Sequence, residues 1–310
     1  MKLFRTIFAY ETETKIPADI AQRLNENKFD SLPDGLIKFS GFAMITEEAR
    51  LIHSDNRWLF KYVEQARVYN RTAVKSFYEA QLKKATDAGH LSTWNDELQW
   101  EQAEREVLKY SPIREGVVYI IFDESAGRVL CSGSTAKKCE EALSRLRKVL
   151  GSLRAYPIVY AGAPARLAQE FTCSASGLPD NLFIPENAKV VAVSDGQKVM
   201  LDGMNLRDKS VSGVLESLAV QSLEMQLVKR WSNGERDTLA DFVLHIAPSG
   251  PASLKRFAFD GSQAPEDGEE AHHYAAVMLI TAKSAGEIMS ALALFFIGSH
   301  SPLQPVTQGD

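Results

Sequence analysis

The twenty residues from Ser134 to Leu153, STAKKCEEALSRLRKVLGSL, constrain the fold more than any other stretch of the chain. Cys139, Ala142, Leu143, Leu146, Leu150 and Leu153 recur at intervals of three and four, so a 3.6-residue helix gathers them on one side and must bury that side. Lys137, Arg145 and Lys148, with Lys138 at the flank, project from the other. Ser134 or Thr135 offers a hydroxyl to the free N–H groups of the first turn, and Gly151 suits the left-handed residue that ends a helix. Lysines in a first turn meet the positive end of the helix dipole, where acids are the norm. Two explanations stand open. An anion such as a phosphate is held there by N–H groups and both ammonium groups, or the lysines are simply solvated and offset by Glu140 and Glu141.

A chain of 310 residues, 45% hydrophobic, can bury a large core and is expected to form one large domain or two to three smaller ones. Its three cysteines, Cys131, Cys139 and Cys173, make no C-x-x-C pair, which argues against a disulfide framework or a thiolate zinc site and fits a reducing cytoplasm. Arg5 interrupts the opening apolar run, so the start does not read as a signal peptide and the protein is expected to stay inside the cell. Ala275 to Ile297 raises the membrane question. Lys283, Gly286 and Glu287 divide it, and a buried strand at Tyr274 to Thr281 followed by a buried helix at Glu287 to Ile297 is expected, with no membrane partner. Net charge is −5, yet Lys137, Lys138, Arg145, Arg147, Lys148 and Arg154 crowd one segment while the acids of Asp260 to Glu270 crowd another. Such segregation permits a basic stripe on an acidic molecule.

Taken in order, residues 2–10 predict a strand, and Pro17 followed by ADIAQRLNEN predicts a helix entered through its proline. Leu36 to Ile45, Ala49 to His53 and Trp58 to Val68 read as strands. Thr72 to Ala88 and Asp96 to Lys109 form a charged helical hairpin whose thin apolar stripe, Val74, Phe77, Leu82 and Ala85, leaves open whether it projects or lies flat on the sheet. Val117 to Phe122 and Val129 to Ser132 make a β-hairpin leading into the basic helix. A strand at Tyr156 to Tyr160, a helix at Pro164 to Phe171 and a turn-rich stretch at Ser174 to Asp180 follow, the last marking a module boundary. Beyond it, Lys189 to Val193 and Lys198 to Leu201 form a hairpin around Asp195-Gly196, and a helix spans Lys209 to Leu218. Leu223 to Trp231, Leu239 to Ile246 and Ser253 to Phe259 are antiparallel strands. The predicted class is α+β with mostly antiparallel sheets and packed helices, in an N-terminal and central module (1–70 and 111–175), a helical tip insertion (71–110) and a C-terminal module (176–310).

Catalytic signatures are weak. No nucleophile elbow and no G-x-x-x-x-G-K-[ST] loop occurs, and adjacent His272 and His273 would point to opposite faces of a strand. Glu13-Thr14-Lys15 supplies the E-x-K element of a metal-dependent nuclease but has no upstream acid to complete a Mg²⁺ site. The expectation is a protein without catalytic residues, metal or cofactor.

Thr135 to Leu153 resembles the bacterial RdgC family of recombination-associated DNA-binding proteins, in which a helix of the A-K-K-x-E…L-x-x-L-R-x-x-L-G-S-L type recurs. Leu3 to Tyr10 is similar to that family's aromatic opening strand, Val118 to Gly127 to its central hairpin, and Ser253-Leu254-Lys255-Arg256-Phe257 to its G-S-L-K-R-L segment. The resemblance implies a homodimer closed into a ring around duplex DNA, binding without sequence preference and limiting RecA-type strand exchange by occupying the DNA. It implies that 71–110 forms a tip meeting its counterpart, with a second interface elsewhere, which favours a projecting hairpin. Where the family carries a basic K-K-Q-D-L run, this chain has Asp202-Gly203-Met204-Asn205-Leu206, so its inner wall is expected to be less basic.

The expected DNA contacts are Lys137, Lys138, Arg145, Arg147 and Lys148, joined by Arg207, Lys209, Lys255 and Arg256. The expected setting is the cytoplasm, in association with the nucleoid, with any effect on a recombinase indirect. The alternatives are a protein-interaction module that inhibits a recombinase or nuclease directly, through the hairpin and the acidic 260–270 loop, and a metal-dependent nuclease.

Overall fold

Period-two alternation, repeated in hairpin after hairpin, closes into one antiparallel sheet that runs through the molecule. The computed structural model describes residues 3–297 apart from 34, 91–93, 161, 173–176, 195, 216, 248–250 and 260–269. The expected 260–270 contact loop therefore lies almost wholly outside the described residues. The elements in chain order are β1 (Thr6–Thr12), α1 (Ile20–Glu26), β2 (Lys38–Phe42), β3 (Leu51–Ser54), β4 (Arg57–Arg67), α2 (Arg71–Asp87), α3 (Asp96–Lys109), β5 (Ile113–Asp123), β6 (Arg128–Ser132) and α4 (Ala136–Leu150). There follow β7 (Ala155–Pro157), α5 (Ala163–Thr172), β8 (Leu182–Phe183), β9 (Val190–Ser194), β10 (Gln197–Leu201), α6 (Lys209–Leu215), β11 (Ala219–Arg230), β12 (Arg236–His245), β13 (Ser253–Phe259) and α7 (Glu270–Ile297). The class is α+β. The strand order is β10-β9-β11-β12-β13-β1-β6-β5-β4-β2, with β3 on β4, β7 on β1 and β8 on β11.

Register explains how one sheet serves two cores. In an antiparallel pair, directly opposed residues share a face. One cross-strand row therefore runs Met200, Val191, Ser222, His245, Ser253, Phe8, Cys131, Ile120, Phe60 on a single face. Its last four members are buried beneath α4 and α1, in a core with Tyr10, Phe42, Tyr62, Phe122, Leu143 and Leu146. The opposite face, with Ile7, Ala9, Leu59, Ile121 and Leu130, meets Leu223, Met225 and Leu244 in a second core covered by α5, α6 and α7. The join between β1 and β13 carries the sheet from the N-terminal strands to the C-terminal ones.

α7 corrects the expectation of a strand at 274–281 and a separate helix at 287–297. It is a single helix of 28 residues, because Ala, Met and Leu in AAVMLITAK are strong helix formers and neither Lys283 nor Gly286 supplies a stop. Gly286 has a packing reason: the Arg128 guanidinium lies 3.4 Å from where a Cβ would stand and donates to the Gly286 carbonyl at 3.1 Å. The helix is long and apolar enough to cross a membrane, but 56% of its most apolar window is buried in the protein, with Val277, Met278, Ile288 and Leu292 against the sheet. His272 and His273 sit in its first turns, not on a strand.

Smaller differences have local causes. Pro17 precedes α1 instead of opening it, since the Pro17 carbonyl accepts from Ile20 N at 3.1 Å in a turn and Asp19 is the N-cap residue. The expected 156–160 strand is only the three residues of β7 on the end of β1. α2 and α3 pack chiefly on each other, burying Val74, Ala103 and Leu108, and leave Leu98 60% exposed. An aromatic set of Tyr78, Trp94 and Trp100 joins the two helices, with Tyr78 Oη and Trp94 Nε1 both donating to Asp96.

Candidate nucleic-acid interface

The basic helix forms as its pattern requires. α4 is capped by Thr135, whose Oγ1 accepts from Lys138 N at 3.3 Å, and it ends at Gly151 with φ +83°. Cys139, Ala142, Leu143, Leu146, Val149 and Leu150 are buried on the sheet, the leucines alone each worth about 1.5–3 kcal/mol relative to exposure. Arg23 of α1 donates to the Val149 and Leu150 carbonyls at 3.3 and 3.2 Å, satisfying acceptors at the negative end of the helix.

The five cations of α4 divide by what they touch. Lys137 and Lys148 are exposed on the outward side. Lys138 turns back over β5, its Nζ 3.3 Å from where a Cβ at Gly116 would stand, so glycine there makes room for it. Arg145 is half-buried and its Nε has no hydrogen-bond partner in the protein. Arg147 Nε donates to the Leu153 carbonyl at 2.9 Å, fixing the chain just after the helix. None of the ion pairs among the described residues involves these five. Glu141 acts instead on the Lys38 and Tyr62 pair on the sheet beside it, while Lys38 bonds Glu64 at 2.6 Å.

Beyond α4, no helix among the described residues packs on the same sheet face, although Ser253 on it is buried. Lys255 opposes Thr6 on one side and Val243 on the other, one step from the row that holds His245 and Ser253. Gly133, two residues past Cys131, leads into α4 at this same end of the sheet. Lys255 and Gly133 are thus separated by two strand spacings, roughly 10 Å. Arg256 has φ +52°, a bulge conformation that turns its guanidinium across the face to Glu224 at 3.4 Å, and Glu224 also accepts from Lys189 N at 3.0 Å.

Two expected residues are elsewhere. Arg207 donates to Glu170 at 3.3 Å, a fully buried carboxylate on α5 that also accepts from Gly177 N at 2.9 Å. Lys209 opens α6. Both belong to the layer of α5, α6 and α7, whose Leu206, Val211 and Leu215 join the second core, so the sheet separates them from α4. A buried carboxylate needs a countercharge, and Arg207 supplies it. Asp202 pairs with Lys189.

Lys198 and His245 belong to the basic face and were not singled out in the sequence. His245 lies in this row and Lys198 one step from it along β10, and the alternation of their strands was legible; which face the helices leave open was not. The imidazole of His245 is held below its ordinary value by burial and then by Lys255 and Lys198. The Lys255 ammonium is likewise lowered by burial and by Lys198.

Other candidate chemistry is dispersed. Glu13 and Lys15 are exposed just past β1, and among the described residues no group of three His, Cys, Asp or Glu side chains is placed to share a metal ion. A cleft of about 360 Å³ on the α7 side is lined by Arg57, which pairs with Asp123 at 2.7 Å, by Arg128, which donates to Gly286 and Ser290, and by Lys283 and Glu287 of α7. The family model described as "Putative exonuclease, RdgC" matches residues 2–233, three quarters of the chain and all of the segment from β1 to α4. The chain belongs to the RdgC family. No curated protein matches it. The RdgC match includes α4, β9 and β10, and stops within the turn that joins β11 to β12.

Proposed function

We propose that this RdgC-family protein binds duplex DNA without sequence preference, as a homodimer closed around it, and limits RecA-type strand exchange by occupying the DNA. One observation carries the proposal: Lys137, Lys138 and Lys148 on α4 and Lys198, His245 and Lys255 on the open sheet lie on one side of a continuous sheet, in a chain whose net charge is −5. Concentrating positive charge on one side of an acidic molecule serves an anionic partner and keeps the rest of the surface from binding it. Among the described residues the patch is made of a helix lying flat on a sheet and the strands beside it. It supplies phosphate contacts, which position a duplex and release counterions without reading bases.

The hairpin of α2 and α3 supports the dimer, because it carries exposed Leu98 and a set of aromatic side chains on a limb with little other packing. The protein acts without catalysis, in the cytoplasm and on the nucleoid, and any effect on a recombinase is indirect. A salt-titrated mobility shift on linear and closed circular duplexes, with solution mass measured in parallel, tests this. Circles should be held more durably than linear fragments of the same length, and the mass should be that of two chains. A monomer, or equal lifetimes on both substrates, refutes the ring. Release of nucleotides from end-labelled DNA with Mg²⁺ or Mn²⁺ would refute the non-enzymatic part.

A further inference from the structure

The hairpin that joins β11 to β12 outruns the sheet. β8 pairs with β11 only at Gln226 and Leu227, and β13 follows β12 no further than Ala240, so from Lys229 to Asp237 the two strands form a ribbon with no third strand beside them among the described residues. Every residue from Lys229 to Thr238 is exposed, Trp231 among them. Within this ribbon Arg230 and Arg236 stand directly opposite each other, and like charges in such a pair repel. Two contacts draw both guanidinium groups to one short segment, Asp180 to Phe183. Arg230 Nε donates to the Asp180 carbonyl at 2.8 Å, and the Arg236 guanidinium stacks on Phe183, 4.3 Å from the ring centroid. Alternation along β11 from Ser222 puts Arg230 on the face of the cross-strand row, the face on which α4 lies. The irregularity after Leu227 does not disturb it, because the extra residue, Leu239, is on β12.

The other charged groups of the ribbon have partners of their own. Trp231 Nε1 donates to Asp237, Asn233 to Glu235 and Gln226 to Asp241, each at 2.8 Å, and the Lys229 ammonium lies over the Trp231 ring at 3.9 Å. The Asp180 carboxylate is exposed, and none of the ion pairs among the described residues includes it, Arg230 or Arg236. The ribbon thus gathers two anchored guanidinium groups with no carboxylate bonded to either.

We propose that Arg230 and Arg236 clamp one backbone phosphate of duplex DNA, which makes the β11–β12 ribbon a second contact with the duplex besides α4. The proposal rests on the duplex-binding function above and adds an element to it. A phosphate supplies the countercharge that relieves the repulsion between the two arginines, and its oxygens accept from planar guanidinium forks. A two-stranded ribbon also matches the width of a major groove, whose rim is phosphate. The contact is to the backbone and reads no sequence.

The experiment is fluorescence anisotropy of the full chain on a short labelled duplex of arbitrary sequence, titrated with salt, beside urea unfolding of the same variants without DNA. Arg230→Gln combined with Arg236→Gln should weaken binding roughly tenfold at about 0.1 M salt and lower the slope of log affinity against log salt by about 0.9. Relief of the repulsion should leave its urea midpoint unchanged or raise it. Arg230→Lys combined with Arg236→Lys keeps both charges and should keep the wild-type slope, with a smaller loss of affinity because an ammonium group lacks the planar fork. Wild-type affinity and slope in the glutamine variant, or a slope lost equally in the lysine variant, overturns the clamp while leaving duplex binding by α4 intact. A lowered urea midpoint in the glutamine variant marks the arginines as scaffold and overturns it likewise. Failure of the wild type to bind duplex at any salt overturns the duplex function and the clamp with it.

Discussion

α4 and α7 lie on opposite faces of the same sheet, and they are built on opposite rules. α4 has one apolar stripe, a capped start, a glycine stop and a polar face that the protein leaves in water. α7 is apolar around most of its circumference, with Leu292, Met278 and Ala285 fully buried and Leu294 71% exposed. The stripe of α4 dictates which side is buried and so which side carries the lysines. An all-round apolar helix has no such preference, and its orientation is set by what packs against it. The comparison teaches that a half-buried element displays function on the face its own sequence leaves over, whereas a fully apolar one is scaffold.

Lys283→Pro probes the comparison most severely. In a strand followed by a helix, residue 283 would sit in a turn and tolerate proline; within one continuous helix, the substitution should cost about 3 kcal/mol or more, read as a fall in the urea midpoint. Leu146→Ala, at a fully buried position of α4, should lower stability by roughly 2–5 kcal/mol in the same measurement. A loss well below 1 kcal/mol would mean that α4 is not seated on the sheet as described. Thr135→Ala removes the cap of α4 and should cost about 1 kcal/mol, with Thr135→Ser restoring most of it.

The smallest effect on stability comes from the outward lysines, and it separates function from scaffold. Lys137→Ala, Lys138→Ala and Lys148→Ala combined should shift stability by only about 0.5 kcal/mol per site or less. The same triple variant should weaken duplex binding and flatten its salt dependence by about 0.9 for each phosphate that is no longer neutralised. Lys283→Ala on the opposite face should leave both unchanged. Equal effects from the two faces would erase the functional distinction between α4 and α7.

Much of the strand order along the chain was legible because hairpins are local. Val117 to Phe122 with Val129 to Ser132, and Lys189 to Val193 with Lys198 to Leu201, close across short turns rich in Gly and Asp. α7 was not legible, because an apolar run of that length satisfies both a buried strand and a buried helix, and a lysine and a glycine within it imitate a break. The basic site was half legible. α4 announced its lysines through helical period, but Arg207 and Lys209 follow the 198–201 strand closely in sequence and still fall on the far side of the sheet.

By itself the sequence determined the local elements whose periods are unambiguous: the amphipathic α4 with its cap and stop, the charged helical hairpin and the alternating strands. Short-range backbone geometry and the need to bury one side are sufficient for these. The tertiary structure decided which face of the continuous sheet the helices leave open beyond α4, and so that Lys198, His245 and Lys255 join the side of α4 while Glu170 takes Arg207 away from it. Those outcomes depend on register between strands far apart in the chain and on which helix covers which face, and no pattern within one segment encodes them.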